Sequence, residues 1–145
     1  MTEDLQPQLL AFLREHQVLT LAVAGPYAAA VFYAVDADLN LYFVTDPATR
    51  HGAALSRESG VAGTIQRDRQ HWQEIRGVQL TGQCARLAGC ERQAGWALYL
   101  NKFAFAGAPE LAPVFSKTDL WKLTPDWIRL TDNGQRFGHK AEWVR

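Results

Sequence analysis

The sequence predicts a mainly β protein, a small antiparallel barrel with helices on its ends. Three observations carry this. Short runs of β-branched and aromatic residues recur between Gly, Pro and Asp turn signals. Segments with helical spacing fall between those runs instead of clustering at one end. With 48% apolar and 21% charged residues, the 145-residue chain has the composition of one globular domain, residues 1–145, able to bury its own core.

The elements follow in order. Residues 4–16 set Leu5, Leu9, Leu10, Phe12 and Leu13 at helical spacing. Residues 18–24 are an unbroken β-rich run, Gly25-Pro26 is a turn, and residues 28–34 form a second strand. Asp36-Ala37-Asp38 closes a hairpin into a third strand at 41–45, so the first half reads as an antiparallel meander. A helix runs from Arg50 to about Glu58, where Gly60 suits its stop. Residues 61–66 are a fourth strand and 67–71 a polar loop. The fifth strand, 75–87, alternates Val78, Leu80 and Cys84 against Gln79, Thr81 and Gln83, with Gly82 marking a bulge or bend. Residues 90–103 are helical, 108–114 a short helix interrupted by Pro113, and 119–123 with 127–131 a closing hairpin around Thr124-Pro125-Asp126. A tail follows from Asn133 to Trp143.

Composition excludes several classes of function. Net charge is zero, which argues against a nucleic-acid partner or an anionic membrane surface. No apolar run reaches the ~20 residues that span a bilayer. The acidic start, Met1-Thr2-Glu3-Asp4, is wrong for a secretory signal, so cytoplasm is the expected compartment. Cys84 and Cys90 match no zinc spacing, so no metal site is expected and reduced thiols are. Five Trp residues exceed what one small core needs, which points to oligomerisation or a planar ligand.

The most informative stretch is Leu41-Tyr42-Phe43-Val44-Thr45-Asp46-Pro47-Ala48-Thr49-Arg50-His51-Gly52. Two hydroxyls and a cation, Thr45, Thr49 and Arg50, crowd the start of a helix, where unpaired N–H groups and the positive dipole end suit a phosphate. Arg adds a forked donor matched to phosphate oxygens. The same residues also read as an ordinary helix start, with Asp46 as N-cap, Pro47 at the first helical position and Arg50 a solvated charge.

The order of parts, the Thr-x-x-x-Thr-Arg-His helix start and the phrase Arg76-Gly77-Val78-Gln79-Leu80-Thr81-Gly82 together resemble the FMN-binding split-barrel superfamily, the relatives of pyridoxamine 5′-phosphate oxidase. The resemblance covers nearly the whole chain. It is closest to a small bacterial subgroup with the same Thr-Arg-His, Ile-Arg-Gly-Val-Gln and Phe137-Gly138-x-Lys140 signatures, with Trp143 beyond.

The resemblance implies a six- to seven-stranded antiparallel split β-barrel with flanking helices, an obligate homodimer, and FMN in a groove between subunits. By the match of motifs, Thr45, Thr49 and Arg50 hold the phosphate and His51 stands where many relatives carry a second cation. Phe43 and Val44 back the flavin. Ala29, Ala30 and Val31 lie on the strand whose amides face the ring edge, with Gln79 or Arg76 reaching the ring from strand five. Trp121, Trp127 or Phe137 covers it from the other subunit. The implied activity is an FMN-dependent oxidoreductase acting on a small molecule, with the cofactor doing the electron chemistry and no catalytic side chain assigned. The second strand lacks the basic residues of the vitamin B6 oxidase, and the tail reads Arg136-Phe137-Gly138-His139-Lys140, so pyridoxamine phosphate is not the expected substrate. Coenzyme F420 in place of FMN, haem ligated by His139, and a non-catalytic dimeric module that has lost its cofactor are the alternatives.

Overall fold

The computed structural model describes residues 4–145. Helix α1 (Gln6–Glu15) buries Leu9, Phe12 and Leu13. Strands β1 (Val18–Val23) and β2 (Tyr27–Phe32) pair as a hairpin, and β3 (Ala34–Val35) pairs with β4 (Leu41–Thr45). Helix α2 (Arg50–Arg57) leads into β5 (Gly60–Gln66), and after a single 3-10 turn the chain enters β6 (Arg76–Arg86). Helix α3 (Gly89–Lys102) and the short α4 (Ala112–Phe115) precede β7 (Asp119–Asp132) and β8 (Lys140–Val144).

All pairings are antiparallel, in the order β2-β1-β5-β6-β7-β4-β3, with β8 pairing β7 off this path. The first and last strands of that order, β2 and β3, are one piece of chain broken at Tyr33. The sheet therefore curls until its two ends meet at that residue, which makes a barrel. The meander holds as two hairpins, with the predicted second strand divided between β1 and β4. Inward residues such as Leu19, Leu21, Phe43, Ile65, Leu80, Leu123 and Ile128 fill one core with the apolar stripe of α1. A second layer under α3 gathers Tyr99, Phe103, Val44 and Trp96.

Three expectations need correction. Residues 119–132 do not turn at Thr124-Pro125-Asp126; they continue as the single strand β7. The register against β6 steps from Thr81↔Trp127 to Gly82↔Pro125, leaving Asp126 unpaired as a bulge, which accommodates a proline that cannot donate to the ladder. The tail after Asn133 is no loose end, because it returns as β8. Pro113 does not interrupt a helix but sits in the first turn of α4, where its missing N–H costs nothing.

The bulge explains Gly82. A Cβ there would lie 2.5 Å from the Thr124 carbonyl oxygen and 2.9 Å from Pro125 Cα. Gly82→Ala is expected to destabilise the fold by about 1–3 kcal/mol, read as a lower urea midpoint with unchanged slope.

The C-terminal end of α1 is held by Tyr33, whose hydroxyl donates to the Leu13 carbonyl at 2.7 Å, and by the Lys102 ammonium, which donates to the His16 carbonyl. Burial pulls the Lys102 pKa down to about 8 from an ordinary 10.5. The unfolded chain keeps this proton up to its ordinary value, so it binds more protons than the folded chain across that interval and stability rises with pH there. Burial also pushes the Cys84 thiol up to about 12, which lowers stability above the ordinary thiol range and overlaps that window. The Lys102 contribution is therefore isolated as wild type minus Lys102→Met. That difference is expected to shift in favour of wild type as pH climbs from about 8 to 10.5 in chemical denaturation.

Candidate functional site

The barrel is split where β2 leaves β4. The β3–β4 register pairs Ala34 with Tyr42 and Val35 with Leu41. Continued one step at a time, it would set Tyr33, Phe32 and Val31 against Phe43, Val44 and Thr45, yet those residues do not pair. Beyond Tyr33, β2 is hydrogen-bonded only to β1. Its other edge presents alternate backbone N–H and C=O groups without a strand partner among the described residues. Ala29, Ala30 and Val31 thus form one lip of an opening whose other lip is the end of β4.

The turn beyond β4 is tightly organised. Asp46 Oδ1 accepts from the Ala48 N–H at 2.9 Å, and the Asp46 carbonyl accepts from both the N–H and the hydroxyl of Thr49, at 3.0 and 2.7 Å. Thr49 is the N-cap of α2, its Oγ1 accepting from the Gly52 N–H at 3.2 Å. The cap is therefore Thr49, three residues beyond Asp46, and Arg50 instead of Pro47 takes the first helical position. Gly52 is required by close approach, since a Cβ would lie 2.7 Å from the Asp46 carbonyl oxygen.

This network sorts the candidate phosphate groups. The single Thr49 proton is already donated to Asp46, so its hydroxyl has only acceptor capacity left. The Arg50 and His51 N–H groups, by contrast, have no hydrogen-bond partner among the described residues, and the first turn of α2 carries no acid. The Arg50 side chain is exposed, its guanidinium 4.5 Å over the ring of Tyr27 at the start of β2. Arg50 thereby bridges from α2 to the open strand. Burial lowers the His51 pKa, so its imidazole is neutral at pH 7 until an anion offsets that cost.

The remaining predicted residues divide. Thr45 is buried at 3% exposure and accepts from Trp121 Nε1 at 2.9 Å, which leaves its own O–H free to donate. Trp121 is itself 4% exposed, so its indole is engaged within its own protomer and supports Thr45 from beneath. Phe43 points into the core and Val44 to the layer under α3, so only their backbone reaches the lip. Gln79 is exposed on β6, three strands from Ala30 and about 14 Å away, so the fold does not gather it with Arg50 in one protomer. Arg76 lies over the Phe12 ring at 5.3 Å, at the opposite end of the barrel. A cleft of about 580 Å³ beside Glu15, His16 and Arg67 is at that far end too. Sequence reasoning missed Tyr27 and the open edge of β2; Tyr27 directly follows the Gly25-Pro26 turn, which was its only local signal.

A barrel closed at one residue and split beside a capped helix start has the fold of the pyridoxamine 5′-phosphate oxidase-like split barrels. Solved structures agree. A heme binding protein of Mycobacterium smegmatis superposes with a TM-score of 0.76 at 21% identity, over 96% of this chain and 56% of that one. A Listeria innocua protein whose name refers to pyridoxamine 5′-phosphate oxidase superposes with a TM-score of 0.70 at 20% identity, over 88% of this chain and 98% of that one. At these identities the likeness is one of fold. No family model matches the chain. Sequence relatives are nearer: a UPF0306 protein of Photorhabdus laumondii is 33% identical over 138 residues, covering 92% of each chain. UPF0306 protein YhbP of Salmonella paratyphi A is 39% identical over 121 residues, 82% of this chain and 77% of that one. The chain belongs to the UPF0306 family.

The Thr45–Trp121 contact can be tested directly. Thr45→Val keeps the shape but leaves a buried indole N–H without an acceptor, and is expected to cost about 1–3 kcal/mol in urea denaturation. Thr45→Ser, which keeps the acceptor, is expected to lose less.

Proposed function

We propose that the protein is a homodimeric flavoprotein that binds FMN in the split between β2 and α2 and acts as an oxidoreductase on a small molecule. The observation that carries this reading is the pair of unpaired N–H groups at Arg50 and His51 beside the exposed Arg50 guanidinium. Two backbone donors, a positive dipole end and a forked cation are what a phosphate monoester needs. The first turn of α2 carries no acid, and one oxygen of Asp46 is turned onto its own loop.

The second support is the open edge of β2. Its alternate amides face a space flanked by Ala29, a residue with little side chain to keep a flat ring away. Bound FMN supplies two-electron redox chemistry at such a ring, and the protein's part is to hold it and tune it by hydrogen bonds. Arg50 and the α2 amides grip the phosphate end, and the β2 amides meet the polar rim of the ring. A reducing cytoplasm suits a chain whose two cysteines, Cys84 and Cys90, are both free.

The homodimer draws support from the outer face of the sheet. Ala22, Ala28, Ala30 and Ala62 are exposed on β2, β1 and β5 with few large side chains among them. The largest charged group there, Arg129, is neutralised by Glu142 at 2.9 Å. A face of small residues with exposed Val18 and Phe32 at its edge can meet a copy of itself without burying unpaired charge. The alternative, haem ligated by His139, draws on neighbours named as a heme binding protein and as HutZ, a heme storage protein of Vibrio cholerae. An absorption spectrum separates the two, since haem gives a Soret band that His139→Ala would remove.

Titration of the purified protein with FMN, followed by flavin fluorescence, is expected to saturate at one FMN per protomer, with sedimentation reporting a dimer. Arg50→Ala is expected to weaken binding by about 1.5–3 kcal/mol through loss of a charge-assisted phosphate contact. Unchanged affinity would remove Arg50 from the site.

A further inference from the structure

Lys102 closes helix α3, and Leu98, Asn101 and Lys102 share one face of it by their helical spacing. Together with Ala34 and Val35 of β3 and Arg14 in the last turn of α1, they line a cavity of about 370 Å³. That is the lower end of the ~300–1,000 Å³ typical of small-molecule sites. Ala34, Val35 and Leu98 give it apolar walls, and Arg14, Asn101 and Lys102 are its polar groups. No carboxylate lines it, and neither Arg14 nor Lys102 belongs to an ion pair among the described residues. The cavity therefore carries two cationic side chains and an amide with nothing anionic to meet them.

The Lys102 amine is held in place but not used up. Its Nζ donates to the His16 carbonyl and stands 3.5 Å from the Leu13 carbonyl, both at the end of α1. The Tyr33 ring lies 4.3 Å from it and the Phe103 ring 5.5 Å. Two carbonyls occupy two of the three free positions on the nitrogen. The third is an N–H when the amine is charged and a lone pair when it is neutral. The groups that face it are those carbonyls and Arg14 from α1, Tyr33 from the strand break and Phe103 beyond α3, so no acid holds the proton on. Burial outweighs the pull of the carbonyls and brings the amine to a pKa of about 8, where half of it is neutral at that pH. A desolvated lysine beside a second cation is the setting in which an amine becomes a nucleophile near neutrality.

We propose that this cavity is a reversible covalent site for a small 2-oxo acid, in which Lys102 forms an imine with the keto carbon and Arg14 holds the carboxylate. The site is separate from the split and its cofactor and stands without them. Each part of such a ligand answers a group in the cavity. The keto carbon is the electrophile an amine attacks. The carboxylate matches the unpaired guanidinium fork of Arg14, with the Asn101 amide as a further donor. A short apolar chain fits the walls of Ala34, Val35 and Leu98. In the reaction a C–N bond forms, the keto C–O bond breaks, and both amine protons leave with that oxygen as one water. No electrons are transferred, and hydrolysis returns the free lysine and the 2-oxo acid. A protonated imine keeps one N–H, which remains available to the His16 carbonyl, so the end of α1 stays tied.

The test uses the full-length protein, pyruvate as the probe and cyanoborohydride to reduce the imine. Each trapped adduct adds the mass of one pyruvic acid less one oxygen atom, and peptide mass spectrometry assigns it among Lys102, Lys117, Lys122 and Lys140. At pH 8, Lys102 is expected to be labelled at least about tenfold faster than the other three, because far more of it is neutral. Lys102→Arg is expected to remove that label and leave the other three unchanged. Arg14 is exposed, so Arg14→Gln is compatible with folding, as checked by circular dichroism. It is expected to slow pyruvate labelling of Lys102 about tenfold, the scale of one charge-assisted contact. Labelling by acetone, which has no carboxylate, is expected to stay as in wild type. Even labelling of the four lysines would overturn the proposal, and so would a Lys102 that resists the reagent. An Arg14→Gln protein labelled by pyruvate as fast as wild type would overturn the assignment to a 2-oxo acid.

Discussion

The molecule depends on a break in one strand. Residues 27–35 run on without a loop, yet the stretch before Tyr33 pairs with β1 and the stretch after it with β4. Tyr33 is fully buried, and a buried hydroxyl must find a partner. It finds the Leu13 carbonyl at the end of α1, while the Lys102 ammonium stands 4.3 Å over its ring from α3. Both helices and both halves of the sheet therefore meet at this side chain. Because Tyr33 is committed there, β2 cannot zip onto β4, and the split is a consequence of how the barrel closes.

An open strand edge is ordinarily a liability, since its unpaired groups invite another chain. A helix start with free amides is likewise unsatisfied. Here the two lie side by side, joined by Arg50 over Tyr27. Each would be met by water in isolation. Together they form a donor-rich slot held on rigid elements, since α2 is capped by Thr49 and β4 is anchored through Thr45 and Trp121. On the reading proposed above, these groups hold a ligand with an anionic end and a flat polar rim, and the cofactor supplies the chemistry.

Much of this was legible in the sequence, and what was not has physical causes. Strands with clean alternation, such as the Val78, Leu80 and Cys84 face of β6, were readable because one face is core and the other solvent. Gly82 was readable as a bulge, because a missing side chain in such a run marks close approach. The bulge residue opposite was misread: Thr124-Pro125-Asp126 has turn chemistry, and only the long-range pairing of β6 with β7 turns it into a kink. β8 was missed because its five residues carry little apolar pattern and are ordered by β7 alone. At the site, the residue types at Thr45, Thr49 and Arg50 announced themselves, but their hydrogen-bond roles did not. Whether a threonine caps a helix, receives an indole or faces a ligand is decided by neighbours that sequence spacing cannot supply.

The tryptophan content ties these levels together. Trp121 lies in the barrel core, and Trp96 stacks on Tyr99 at 5.6 Å and meets Phe115 beneath α3. Trp143 packs against the core from β8, and Trp127 has its N–H held by Glu142. Each of these four indoles has apolar neighbours or a polar partner within its own chain. Trp72 has neither burial nor an acceptor, only the edge of an equally exposed Phe137, on loops held still by Asn133. An indole left in water forgoes the apolar burial that favours it elsewhere in the fold. Rigid presentation of such a group lowers the entropic cost of docking it. The surplus tryptophan visible in the composition therefore comes down to Trp72, on a loop at the end of the barrel away from Arg50.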